Sequence, residues 1–103
     1  MKHLNEYKRI DYSDFYKCKV GDYVIVKSRI GGYAPEYLDF ASNRIGEIIG
    51  INLEKKTIWV QFDSPWNNGN KNDTNNFKAS QVEFWSKDKE DLEGILVGRK
   101  YNL

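Results

Sequence analysis

Apolar and polar residues alternate most cleanly over residues 57–63, where Ile58, Val60 and Phe62 fall on one side and Thr57, Trp59 and Gln61 on the other. That is the period of a strand with one buried face. Residues 23–30 follow a Gly21-Asp22 turn and carry the β-branched side chains Val24, Ile25, Val26 and Ile30, which predicts a first strand. Residues 44–52 predict a second, with Gly46 and Gly50 as positions for a bend or bulge, and 53–56 is a short turn. A fourth strand is predicted over 77–85. Residues 31–43 hold paired glycines, Pro35 and three aromatic rings. The segment is too long for a tight hairpin and too apolar for a linker, and predicts an ordered loop packed by Tyr33, Tyr37, Leu38 and Phe40. Residues 64–76 are polar, with an Asn68-Gly69 turn and Trp66, and predict a mobile loop. After a charged connector over 86–91, the glycine-bracketed run Ile95-Leu96-Val97 reads as a fifth strand or a helical turn, the strand being preferred. Residues 1–19 read as an arm or short helix packing on the rest, with Asp11 or Ser13 as caps for a turn reaching Lys17.

Composition narrows the picture. A chain of 103 residues, 40% of them hydrophobic, has material for one core, and seven Tyr, five Phe and three Trp must supply much of its burial. Sixteen basic residues against fifteen acidic leave a net charge of +1, which removes the simplest electrostatic argument for a polyanion-binding protein. Cys18 is the only cysteine, so no intrachain disulfide forms and a reducing, cytoplasmic setting is expected. Neither an apolar leader nor a membrane-length apolar run is seen, so no membrane association is expected.

The runs Val20-Gly21-Asp22-Tyr23-Val24-Ile25-Val26, Ile45-Gly46-Glu47-Ile48-Ile49-Gly50-Ile51 and Ile58-Trp59-Val60-Gln61-Phe62-Asp63 resemble the opening three strands of SH3-like barrels of the KOW and Tudor kind. The resemblance covers about residues 20–85. It implies an all-β, SH3-like barrel of four to five strands over 20–103, the Gly-Asp pair opening the first strand and the apolar-x-Phe-x-Asp pattern closing the third. Such barrels host RNA-binding, peptide-binding and structural modules alike. The chain departs from the Tudor pattern at Ser64-Pro65-Trp66, which follows the aspartate where Tyr-Gly is usual.

No catalytic constellation is expected: Cys18 and His3 lack a third orienting group, and one Cys and one His do not build a zinc site. No cofactor or metal is expected either. The leading candidate site is a partner-binding surface of Tyr33, Tyr37, Phe40, Asp63, Trp66 and Phe77, rings suited to holding a cationic side chain or a Pro-rich peptide. The alternative for these rings is that they fill the core. Trp59 and Trp85 are expected on the outward faces of adjacent strands, either as an exposed patch or covered by the arm or the tail. A second candidate, for RNA or DNA, is a basic face of Lys27, Arg29, Arg44, Lys55 and Lys56, extended by Lys71 and Lys78, with Tyr23 or Trp59 for stacking. The expectation is therefore a non-enzymatic module that binds a protein partner, as a monomer or weak homodimer. Chains of this size and composition also occur as accessory or inhibitor proteins of phages and mobile elements, and the alternative function is KOW-like nucleic-acid binding.

Overall fold

The computed structural model describes residues 15–63 and 73–100. Five strands, β1 (Tyr23–Val26), β2 (Gly46–Asn52), β3 (Thr57–Gln61), β4 (Thr74–Lys78) and β5 (Val82–Ser86), form one antiparallel sheet in the order β4-β3-β2-β1-β5. Two helices join them, α1 (Pro35–Ser42) and α2 (Lys89–Lys100), with 3-10 turns at Phe15–Lys17 and Ala79–Gln81. The chain is thus β-rich rather than wholly β.

Three expectations are corrected by this arrangement. The 31–43 loop contains α1, because Pro35 at the first helical position has no N–H to waste there, and Asn43 closes the last turn by donating from Nδ2 to the Asp39 carbonyl at 2.7 Å. The predicted strand over 77–85 is two strands, broken where Ala79 N–H turns to donate to the Lys56 carbonyl. The tail is helix, not strand, and the second half of the charged 86–91 connector is its beginning. Asp88 Oδ1 accepts from Glu90 N–H at 3.1 Å, capping the first turn, while Ser86 Oγ donates to Asp91 and accepts from Asp88 N–H.

The inner face of the sheet buries Val24, Val26, Ile48, Ile58, Val60, Phe62, Phe77 and Val82 against Tyr37, Leu38 and Ala41 of α1, with Phe15 and Cys18 from the start of the described chain. Of the expected 1–19 arm, residues 1–14, including the candidate caps Asp11 and Ser13, lie outside the described residues. β1 is buried on both faces. Ile25, pointing away from Val24 and Val26, is fully buried outside that core, as is Leu92 of α2, and α2 packs on β1 and β5. Among the described residues, α2 covers the outer face on the β1-β5 side, and Glu47, Ile49 and Trp59 on the outer face of β2-β3 are exposed.

Candidate functional site

The structure brings four rings of the leading candidate set together. Tyr33 stacks on Tyr37 and Phe77 with centroids 5.9 and 5.4 Å apart, Tyr37 meets Phe40 at 5.9 Å, and Phe62 joins edge-on to Phe40 and Phe77 at 5.9 and 6.3 Å. Tyr37 and Phe77 are buried, whereas Tyr33 and Phe40 are half-buried at the rim. Two hydroxyls tie this cluster to β4 and its approach: Tyr33 donates to the Asn76 carbonyl at 2.6 Å, and Tyr37 donates to Asp73 Oδ2 at 2.9 Å. Burial raises the pKa of both phenols, that of Tyr37 the more strongly, with the neighbouring Asp73 adding to it. Much of the set thus fastens α1 to the sheet.

At the rim, residues assigned to different readings meet. The Arg44 guanidinium lies 4.5 Å from the centroid of the Phe40 ring and 3.9 Å from Asp63, which is exposed. Trp66 lies outside the described residues, as do Lys71 and His3.

The basic candidates divide between two places. Lys27 N–H donates to the Gln81 carbonyl and the Lys56 carbonyl accepts from Ala79 N–H, both at 2.9 Å, and Lys78 immediately precedes that 3-10 turn. Lys27, Lys55, Lys56 and Lys78, all exposed, are therefore gathered at one end of the sheet. Arg29 lines a polar recess with Asp39, Glu83 and Arg99, and Arg44 is at the aromatic rim.

Trp85 and Trp59 are not neighbours, a correction that follows from strand order: β3 and β5 are separated by β2 and β1. Trp85 is buried, its Nε1–H donating at 2.9 Å to Asp22 Oδ2, which also accepts from Lys19 N–H and the Lys87 ammonium. Trp59 is 50% exposed in the middle of the open outer face. It pairs with Gly50 across a register shift in β2, and its side chain lies against the space a Gly50 Cβ would occupy. The shift leaves Ile49 as the extra residue, 42% exposed, and the following hairpin turn adds Leu53, 60% exposed. Sequence reading found Trp59 from the 57–63 alternation. It did not single out Ile49, which alternation from buried Ile48 places outward with Glu47, while the bulge returns Ile51 to the core side.

Among the described residues, no group of three or more His, Cys, Asp or Glu side chains is placed to hold a metal ion, and no helix is long and apolar enough to cross a membrane. Compared with protein-family models, curated proteins and solved structures, the chain matches none.

Proposed function

We propose that this chain is a non-enzymatic SH3-like β-barrel module that binds a protein partner through the open face of its β2-β3 hairpin. Support for the architecture comes from the strand order, with β5 returning to pair with β1 after a 3-10 turn, and from register shifts that leave an extra residue in β5 (Glu83) and in β2 (Ile49) and bend those strands. A cytoplasmic setting suits a core that holds Cys18, the chain's only cysteine, and the small size suits an accessory or inhibitor protein of a phage or mobile element.

The observation that carries the reading is the half-exposed indole of Trp59, with Ile49 exposed next to its cross-strand partner Gly50 and Leu53 exposed in the turn of the same hairpin. Large apolar side chains uncovered on a polar surface mark contact sites, and tryptophan is enriched among the anchors of such sites. The aromatic rim of Tyr33, Phe40, Arg44 and Asp63 offers a second, more polar edge at which the segment bearing Trp66 begins.

The test is retention of a protein from nuclease-treated host extract on the immobilised chain, with Trp59→Ser and Trp66→Ala as variants. Retention lost in Trp59→Ser, with its thermal midpoint unchanged, supports the hairpin face. Loss in Trp66→Ala alone moves the site to the rim. Recovery of nucleic acid alone from untreated extract favours the second reading, for which the lysines around Ala79–Gln81 are the specific observation.

A further inference from the structure

The two ends of the sheet differ in charge: one gathers exposed lysines, the other carries acids and bases in a mixed, partly paired array. The end bearing the β2-β3 turn and the 3-10 turn carries Lys27, Lys55, Lys56 and Lys78, with Glu54 as the acid in that turn. At the opposite end, Glu47 pairs with Tyr23 and Gln61, Asp22, Asp63 and Asp73 flank the strand ends, and Asp88, Glu90 and Asp91 follow β5, interleaved with Lys19, Arg44, Lys87 and Lys89, of which Arg44 and Lys87 pair with Asp63 and Asp22. The net charge of +1 hides this local basic cluster. Among the described residues, none of the four ammonium groups is held in an ion pair: the pairs there use Arg44, Lys87 and Arg99.

The apolar patch borders the basic end. Leu53 is in the same turn as Lys55 and Lys56, and Thr57, two residues before Trp59, pairs with Lys78. Resting on the protein-binding reading above, we infer that the partner presents an apolar side chain ringed by carboxylates, the apolar group packing on Trp59, Ile49 and Leu53 and the carboxylates meeting Lys55, Lys56, Lys78 and Lys27. Charge complementarity selects an acidic partner, since free lysines beside a desolvated anchor steer and orient an oppositely charged surface. A nucleic-acid strand fits less well. Its phosphates recur at every nucleotide, so a strand crossing the face from the lysines would run into Glu47, Asp63 and Asp73, and the aliphatic Ile49 and Leu53 offer a base no plane to stack on.

Selection from a random peptide library on the full chain tests this, run in parallel on Trp59→Ser, on the triple variant Lys55→Glu/Lys56→Glu/Lys78→Glu and on an unrelated domain. All the substituted side chains are exposed, and circular dichroism checks that the variants are folded. The expected result is enrichment of acidic peptides containing a large apolar residue. Their binding should be lost in Trp59→Ser, weakened roughly tenfold or more in the charge-reversed variant, and weakened by salt. Peptides enriched without acidic bias but dependent on Trp59 overturn this inference and leave the protein-binding reading standing. Acidic peptides indifferent to both variants overturn the placement on this face. Enrichment no greater than on the unrelated domain overturns both, and oligothymidylate binding through Trp59 in that case assigns the face to nucleic acid.

Discussion

A methyl group added at Gly46 would run into Val60 Cγ1 and come 3.0 Å from Phe62 Cε1, both fully buried side chains. Gly46→Ala should therefore lower stability by about 1–3 kcal/mol, the usual cost of overpacking a filled core, read as a lower urea midpoint. Gly50→Ala differs, because its new Cβ meets Trp59 at 3.4 Å or more and the indole is free to move toward solvent. Its effect should stay within about 0.5 kcal/mol. The tyrosines make a different residue-scale prediction. Tyr33 and Tyr37 have folded-state pKa values raised above the ordinary 10.0 by burial, so the folded state holds their protons more tightly than the unfolded chain does. That contribution is complete below the unfolded value and declines as pH climbs through it toward the folded one. Urea midpoints should accordingly be level in these tyrosines' terms up to about pH 9 and fall above 10. Tyr37→Phe should start lower, lacking the bond to Asp73, and fall less steeply. A midpoint that rises with pH across that window would contradict the burial of these phenols.

Helix α2 shows at the scale of elements what the sequence concealed. Ile95 and Val97 are β-branched and stand between Gly94 and Gly98, a local pattern that favours strand over helix. What overrides it is capping by Asp88 and the burial of Leu92 against a sheet face that includes Ile25, neither visible in a five-residue window. The helix consequently carries a local conflict that substitution can relieve. No atom lies within 4 Å of a Cβ on Gly94, so Gly94→Ala should raise stability by about 0.5–1 kcal/mol and increase the thermal midpoint. Leu92→Ala should cost about 2–5 kcal/mol, as expected for a fully buried leucine. Other elements were legible for physical reasons. β3 was readable because its two faces have different environments, and β1 because a Gly-Asp turn precedes it. The rings of α1 were identified as packing groups while their helix was not, since Pro35 looks the same in sequence whether it opens a turn or a helix. The break between β4 and β5 is marked in the 77–85 run only by a change of phase, from Phe77 and Ala79 to Val82 and Phe84 across Ser80-Gln81, a signal easily lost between two stretches that each alternate as a strand. For the candidate site, Trp59 could be found by alternation and the lysines by composition, but their shared location depends on the backbone bonds around Ala79–Gln81.

Over the whole molecule, the coverage of the sheet and the distribution of charge divide stability from recognition. Among the described residues, one helix packs on the inner face and the other on the β1-β5 side of the outer face, and Trp59 is not among the side chains of the core. The three described ion pairs contribute little to that core. Arg44–Asp63 and Lys87–Asp22 each have a largely exposed member, and Arg99–Glu83 is partly exposed at both ends, a class of pair worth about 0–1 kcal/mol and screened by salt. Folding should then be nearly indifferent to ionic strength, with urea unfolding free energies at low and high sodium chloride agreeing within about 1 kcal/mol. Binding at the lysine-bearing end should be salt-sensitive under the same conditions, because its attraction comes from solvated charges acting over a distance that salt shortens. Measuring both on one preparation separates the two roles. A chain whose stability and binding weaken in parallel as salt rises would be held together by its surface charges, and the lysine end would then belong to the fold rather than to a partner.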